Sequence, residues 1–178
     1  MKLVGLRAFD ERKIIQRVLE GDADAFNVLV RQWEKPIFNF IYRMLGNRDE
    51  AMDLCQDSFM KAYRELRSLK DHDRFSAWLY RIAHNVCYSR LRKDQGKTFV
   101  ELVPETRAIR TPIEIQLAVA KALQQLPQDQ REVVVLKIYH SLKFEEIAAI
   151  QDAPVSTVKS RLYMGFGKLR DLLGPIPS

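Results

Sequence analysis

The sequence predicts an all-α fold made of two small helical domains joined by a flexible linker. Apolar residues recur at helical spacing along most of the chain, and its 178 residues include only seven glycines and seven prolines. One central stretch has no period at all. Because a chain of this length suits either one large domain or two small ones, the aperiodic stretch favours two.

The spacing predicts four helices in the first domain, residues 1–93. They cover residues 10–20, 23–45, 49–69 and 75–93. We expect Pro36 to interrupt the second helix, because proline lacks the N–H that an inner turn needs. A polar loop, residues 70–73, precedes the fourth helix.

The linker covers residues 94–112 and contains Gly96, Pro104 and Pro112. Fully extended, about 20 residues reach roughly 65 Å, so the two domains can act at separate places. Four shorter helices are predicted in the second domain, residues 113–178. They cover residues 113–126, 129–140, 144–150 and 156–173.

Composition narrows the class of protein. The net charge of +6 favours a polyanionic partner. No apolar run approaches the roughly 18 residues of a membrane span, and the first residues lack a secretory signal, so we expect a cytoplasmic protein. Cys55 and Cys87 form no CxxC pair and are expected to be reduced thiols.

The end of the chain has the pattern of a helix-turn-helix. A short helix is followed by a turn containing Pro154, and Ser156 is a suitable N-cap for the last helix. A buried stripe of Val158, Leu162, Leu169 and Leu172 leaves Thr157, Lys159, Ser160, Arg161 and Tyr163 facing outward. Such side chains can contact bases and phosphates, although a plain helical hairpin with a solvated face has the same pattern.

Residues 75–93 contain no acidic side chain. Leu79, Ile82 and Val86 share one side of this helix, and Tyr80, Arg81, His84, Asn85, Tyr88 and Arg92 share another. Aromatic rings can stack on unpaired bases while arginines hold phosphate, which favours single-stranded or melted nucleic acid. The alternative is that the aromatic rings are partly buried and the arginines merely solvated.

The helix before it carries an acidic face. Ala51, Cys55, Phe59, Ala62 and Leu66 are predicted to face inward. Asp53, Gln56, Asp57 and Met60 are predicted to face outward, flanked by Met52 and Tyr63. Exposed methionine and tyrosine beside carboxylates favour a protein contact, although a charged helix face is often only solvated.

Together these segments resemble a bacterial RNA polymerase sigma factor of the extracytoplasmic-function group, in the sigma-70 family. The resemblance covers nearly the whole chain. It is carried in the first domain by GDADAFNVLV, DEAMDLCQDSFMKAYREL and RFSAWLYRIAHNVCYSRLRK, and in the second by ALQQLPQDQREVVVLKIYHSLKFEEIAAI and PVSTVKSRL. It implies a region 2 domain, then the linker, then a region 4 domain.

The resemblance also implies a role for each surface. Asp53, Gln56, Asp57 and Met60 would dock on the clamp helices of the polymerase largest subunit. The −10 element would be recognised and opened by Lys70, Asp71, His72, Asp73, Phe75, Trp78, Tyr80, Arg81, His84, Asn85, Tyr88 and Arg92, with Asn85 near a flipped base. The −35 element would be read by Ser156, Thr157, Lys159, Ser160, Arg161 and Tyr163. Further partners would be the polymerase flap and an anti-sigma factor.

One segment departs from the family pattern. Relatives often continue the last helix as SRLxRGRxxLR, whereas this chain reads SRLYMGFGKLR, with Met164 and Phe166 in place of basic residues. Two phosphate contacts would then be missing, and Gly165 and Gly167 would each weaken the helix by about 1 kcal/mol relative to alanine. We expect Phe166 either to be buried or to contact a partner.

No catalytic, metal or cofactor site is expected. His84, Cys87 and Cys55 supply three candidate zinc ligands where a structural site needs four, and no nucleotide-binding or hydrolase motif occurs. Two other classes of protein remain possible on the sequence. One is a DNA-binding regulator that works without polymerase, and the other is a helical scaffold that binds only proteins.

Overall fold

The computed structural model describes residues 10–93 and 112–174. The helices in these ranges are α1 (Glu11–Leu19), α2 (Ala23–Leu45), α3 (Arg48–Glu65), α4 (Phe75–Lys93), α5 (Pro112–Gln124), α6 (Gln128–Val134), α7 (Phe144–Gln151) and α8 (Val155–Leu173). A π-helical turn, Val135–Tyr139, continues α6. The prediction of an all-α fold is confirmed for the described ranges; residues 94–111 of the predicted linker lie outside them.

Local chemistry explains where the first helices begin and end. The Asp22 carboxylate caps α2 by accepting from the backbone N–H of Ala25 at 3.1 Å. Gly46 then ends α2 in the left-handed conformation, with φ of 73°, which glycine adopts without strain. The Asn47 side chain caps α3 through the N–H of Glu50 at 3.1 Å. The long helices α2 and α3 are therefore joined by a tight corner at Gly46 and Asn47.

Some of the predicted helix limits differ from the structure. Helix α2 continues through Pro36, because Ile37, Phe40 and Ile41 just beyond it are fully buried and their packing outweighs one lost hydrogen bond. Helix α3 ends at Glu65, and a 3-10 turn, Leu66–Ser68, follows it.

Helix α8 begins at Val155, one residue earlier than predicted. Pro154 occupies the N-cap position, so the expected cap by the Ser156 hydroxyl is not made. The preceding turn is set by Asp152, which ends α7 in the left-handed conformation with φ of 50°. Aspartate is among the few non-glycine residues that adopt this conformation readily, and it turns the chain into α8.

The first domain packs α1 to α4 around a core of large apolar side chains. Ile15, Leu29, Phe40, Phe75 and Leu79 are fully buried at its centre. The two cysteines, Cys55 and Cys87, are buried free thiols in this core. Burial raises the pKa of the Cys55 thiol to about 11, so the thiol stays protonated and unreactive at neutral pH.

The second domain packs α7 and α8 against α6. Leu136, Ile147 and Val158 are completely buried between these helices. Gly165 allows α8 to lie close to α6, because a Cβ atom there would lie 3.0 Å from Cγ2 of Val134. This glycine therefore serves helix packing, which the sequence alone did not reveal.

Candidate polymerase and nucleic-acid interfaces

The acidic face of α3 is exposed as predicted. Its inward residues Ala51, Cys55, Phe59 and Ala62 are buried, and Asp53, Gln56, Asp57 and Met60 are all exposed. Met52, Met60 and Tyr63 add apolar surface, with exposures of 47%, 53% and 46%. Three large apolar side chains beside carboxylates on one helix form a surface suited to a protein partner.

Helix α4 presents the predicted nucleic-acid face as two adjacent stripes. The open stripe consists of Arg81, Asn85 and Arg92, which are exposed. The aromatic stripe consists of Tyr80, His84 and Tyr88, which are buried or half-buried against the second domain. The burial of the aromatic rings agrees with the alternative drawn from the sequence, and nucleic-acid binding by the exposed residues stays a prediction.

The aromatic stripe is held by polar groups of the second domain. The Tyr80 hydroxyl lies 2.8 Å from Nδ1 of His140, and Nδ1 of His84 lies 2.6 Å from Oε1 of Glu132. The Tyr88 hydroxyl donates to Oε2 of the same carboxylate at 3.3 Å. Burial raises the pKa of both tyrosines, so both hydroxyls stay protonated here.

The open stripe borders a groove between α3 and α4. Asn85 lines this groove together with Asp57 and Met60 of the acidic face. Ser89 and Lys93 continue it along α4. A residue predicted to meet a DNA base and residues predicted to meet the polymerase thus share one continuous surface.

The loop before α4 is ordered by local ion pairs. The Asp73 carboxylate accepts two hydrogen bonds from the Arg12 guanidinium. The Asp71 carboxylate accepts from the backbone N–H of Asp73 at 3.1 Å and pairs with Arg74. Lys70 is exposed and His72 is half-buried. Helix α1 therefore contacts the loop through Arg12.

The structure corrects the prediction for Phe75. Its side chain has 0% exposure and packs against Trp33 and Trp78, with ring centroids 6.4 and 5.8 Å away. A ring in the centre of the core cannot stack on DNA, so Phe75 is a core residue. Trp78 is half-buried beside it. Tyr80, with 3% exposure, is likewise closed off in this arrangement of the domains.

The first turns of α8 carry the predicted −35 residues. Ser156, Lys159, Ser160 and Tyr163 are exposed, Thr157 is half-buried, and Tyr163 reaches 73% exposure. Arg161 is engaged within the domain instead. Its Nε lies 2.9 Å from Oδ2 of Asp129, and an Nη atom donates to the Gln151 side chain at 2.9 Å.

The two residues that depart from the family pattern also lie on the surface. Met164 is 51% exposed and Phe166 is 40% exposed, so of the two alternatives for Phe166 burial is wrong. Both side chains lie on the same helix as the predicted −35 residues. No helix in the described ranges is long and apolar enough to cross a bilayer, and no three metal-binding side chains cluster there.

Sequence reasoning missed Arg131 and Glu132, which have exposures of 4% and 0%. The Arg131 guanidinium donates to the backbone carbonyl of Met44, at the end of α2 in the first domain. The available signal was a charged pair directly before the apolar run VVVL. Such a pair inside a buried segment must find polar partners, and here several come from the other domain.

Comparison with known proteins identifies the family. The family models for Sigma-70 region 2 and Sigma-70, region 4 match residues 29–97 and 116–169. The ECF RNA polymerase sigma factor SigW of Bacillus subtilis is 33% identical over 91% of this chain and 96% of that protein. The chain belongs to the extracytoplasmic-function sigma factors. The ECF RNA polymerase sigma-E factor of Escherichia coli is 32% identical over 86% of this chain and 88% of its own length.

Two solved structures have a similar fold. One is RpoE in complex with the anti-sigma factor NepR from Bartonella quintana, with a TM-score of 0.70, 30% identity, and coverage of 83% of this chain and 96% of that one. The other is CnrH in complex with the cytosolic domain of CnrY, with a TM-score of 0.72, 27% identity, and coverage of 92% and 96%. Both similarities extend over the two domains together.

Proposed function

We propose that this sigma factor is a promoter-specificity subunit of bacterial RNA polymerase, acting in the cytoplasm. It binds the core enzyme, recognises the −10 and −35 elements, and promotes melting of the −10 DNA. The sigma factor performs no covalent chemistry itself; the polymerase does. The observation that carries the proposal is the exposed face of α3, Asp53, Gln56, Asp57 and Met60, in a chain of this family.

The acidic face supplies the polymerase contact. Its carboxylates and exposed methionines can pair with basic and apolar side chains of a helical partner. We assign the clamp helices of the largest polymerase subunit as that partner. Because the groove with Asn85 begins at Asp57 and Met60, docking on polymerase would place the open stripe of α4 beside the DNA.

The −10 element is assigned to α4 and the loop before it. Arg81 and Arg92 can hold phosphates of a separated strand, and the Asn85 amide can pair with the edge of an unstacked base. Lys70, His72 and Trp78 are further residues that we assign to this element. Strand separation is required because an unstacked base is the form that such a surface can bind.

The −35 element is assigned to α8, which would bind it as double-stranded DNA. Ser156, Lys159 and Ser160 lie exposed at the end of the helix that a helix-turn-helix places in the major groove. A lysine holds phosphate and serines can donate to or accept from base edges. We assign a further contact to the polymerase flap, and, by analogy with the complex of RpoE and NepR, an anti-sigma factor as regulator.

Run-off transcription tests this proposal. The purified sigma factor is mixed with core RNA polymerase from the same organism and a library of promoter fragments. Core enzyme alone, and core enzyme with the Asp57→Ala variant, are the controls. Specific transcripts that require the wild-type protein would support the assignment. Absence of both core binding and transcripts would refute it and favour a regulator that works without polymerase.

A further inference from the structure

We propose that Phe144 is a positioning residue for the −35 contact, because its ring holds the ammonium groups of Lys137 and Lys159 where both can bind phosphates of duplex DNA. This role rests on the proposed function, since it concerns the same DNA surface. It adds Phe144 and Lys137, which lie outside the last helix and which the sequence did not indicate.

The ring of Phe144 lies against two cations. Nζ of Lys137 is 4.5 Å from the ring centroid, and Nζ of Lys159 is 5.4 Å from it. An ammonium group within about 6 Å of a ring centroid is attracted by the negative face of the ring. Because two like charges repel each other, their placement at one ring requires a group that attracts both.

The three residues come from three separate helical elements. Lys137 belongs to the π-helical turn after α6, Phe144 is the first residue of α7, and Lys159 lies in the second turn of α8. Phe144 is half-buried and packs against the core of the second domain, so the fold fixes its ring. The ring therefore sets where the two long side chains end.

Lys137 is also tied to the backbone. Its ammonium group donates to the carbonyl of Leu142 at 3.0 Å, in the loop before α7. An ammonium group has three donors, so donors remain for a phosphate. Lys137 is half-buried and Lys159 is exposed. Both lysines can therefore donate to an anion without leaving the ring.

The two lysines carry positive charge that the domain does not neutralise. Among the described residues, no carboxylate forms an ion pair with Lys137 or Lys159. Arg161, which is also on α8, is paired with Asp129 at 2.9 Å. The lysines, rather than this arginine, are therefore available to a polyanion.

Backbone phosphate is the ligand that suits this arrangement. Lysine binds phosphate as a point charge, and phosphate contacts position a protein on the duplex without reading its bases. In a helix-turn-helix the first helix crosses the backbone while the second enters the major groove. Phe144 begins the first of these helices, and Lys159 lies on the second. The ring therefore couples the helix on the backbone to the helix in the groove.

The ring contributes to affinity by ordering the lysines before DNA arrives. A long side chain that becomes ordered only on binding lowers affinity, and one that is already ordered avoids this loss. Replacing the ring should therefore weaken duplex binding by about fivefold although both positive charges remain.

Fluorescence anisotropy of the full chain with a labelled DNA duplex of mixed sequence, over a series of salt concentrations, tests this role. Lys137→Ala and Lys159→Ala should each reduce the slope of log affinity against log salt by about one, because each removes one phosphate contact. Phe144→Leu should bind about fivefold more weakly, and Phe144→Tyr, which keeps the ring, should bind as wild type. Unchanged slopes in both lysine variants would overturn the proposal.

A double-mutant cycle separates positioning from packing. In the background Lys137→Ala/Lys159→Ala, Phe144→Leu should cause no further loss, because no ammonium group is left to hold. An equal loss in both backgrounds would leave Phe144 as a packing residue only. The matched control is Phe38→Leu, which removes a ring 5.8 Å from the Arg48 guanidinium in the first domain and should not change duplex binding.

A measurement on the wild type covers the case in which Phe144→Leu loses helicity by circular dichroism. The ring current of Phe144 should move the NMR signals of the ε-methylene protons of Lys137 and Lys159 upfield. Signals at the position of an exposed lysine would show that the ring holds neither side chain, and would overturn the proposal.

Polymerase is absent from all these measurements, so the two proposals fail separately. Duplex binding that depends on both lysines, without run-off transcription, would refute the proposed function and leave the role of Phe144 standing. Run-off transcription by a chain whose duplex binding does not depend on the lysines would do the reverse.

Discussion

Nδ1 of His84 lies 2.6 Å from Oε1 of Glu132, although the two residues are 48 positions apart and belong to different domains. This contact brings an imidazole predicted to face DNA against a buried carboxylate. It divides the predicted −10 surface into a covered half and an exposed half. The division makes separate predictions possible for the polymerase contact, the DNA contacts and the domain contact.

Asp57→Ala should weaken binding to core polymerase by about tenfold, because it removes one carboxylate from the exposed face of α3. Titration of labelled protein with core enzyme measures this. Glu20→Ala, which removes an exposed carboxylate at the end of α1, should leave the affinity unchanged. An equal loss in both variants would point to net charge rather than to this surface.

Asn85→Ala should impair opening of the promoter while sparing the binding of core polymerase. The amide is exposed on the open stripe of α4, where an unstacked base can reach it. Permanganate footprinting of the melted strand, with core binding measured on the same samples, tests this. Ser89→Ala on the same groove is the matched control. Simultaneous loss of core binding would contradict the assignment.

Arg161→Ala should have two effects, because Arg161 joins Asp129 and Gln151 inside the second domain. Loss of these ties should lower the free energy of unfolding by about 1 kcal/mol. If Arg161 also grips a base in the bound state, discrimination at one −35 position should fall by about 1–3 kcal/mol.

Thermal unfolding and competition between −35 duplexes separate the two effects of Arg161→Ala. The control is Lys159→Ala, which should weaken binding to all duplexes alike. A change in stability without any change in base preference would leave Arg161 as a structural residue only.

Gly165 and Gly167 should respond differently to alanine. Both lie inside α8, so each substitution gains about 0.5–1 kcal/mol of helix propensity. At Gly167 nothing lies within 4 Å of a new Cβ, and the gain should appear in full. At Gly165 the Cβ would meet Val134 at 3.0 Å, so this gain should be cancelled or reversed. Equal stabilisation in thermal unfolding would show that α6 and α8 are packed less tightly.

The contact between the two domains should weaken in acid, because the imidazole of His140 lies at that contact. Burial lowers the pKa of His140 from its usual 6.5 to about 4 when the two domains are in contact, and the nearby charge of Arg43 contributes a smaller part. The imidazole faces Tyr80 on α4 and Phe40 and Arg43 on α2. The contribution of His140 to the contact between the domains is therefore fully present above about pH 6.5 and is lost as the pH falls toward 4.

The variant His140→Gln isolates this effect. The radius of gyration of wild type should begin to increase between about pH 6.5 and 5, and the increase should be smaller in the glutamine variant, which has no proton to gain. His84, Glu132 and every other side chain are the same in both proteins. Superimposable pH profiles would exclude His140 as the cause.

Much of the first domain followed from the sequence. The fourth helix begins at Phe75 as predicted, directly after the polar loop, and is helical up to Lys93, where the described range ends. The inward and outward faces of α3 were predicted correctly as well, since side chains recur on one side of a helix with a period of 3.6 residues. Periodicity is a property of the sequence of a single helix, so it can be recognised without knowing how that helix packs.

Tertiary structure decided how those faces are used. Periodicity groups Tyr80, His84 and Tyr88 on one side of α4 but cannot say what lies opposite. Their partners His140 and Glu132 are 44 to 60 residues away in the chain. Likewise, packing carried α2 through Pro36 and buried Phe75, against local expectation. The sequence by itself determined the helices and their amphipathic faces, whereas long-range burial decided which face meets solvent and which meets the other domain.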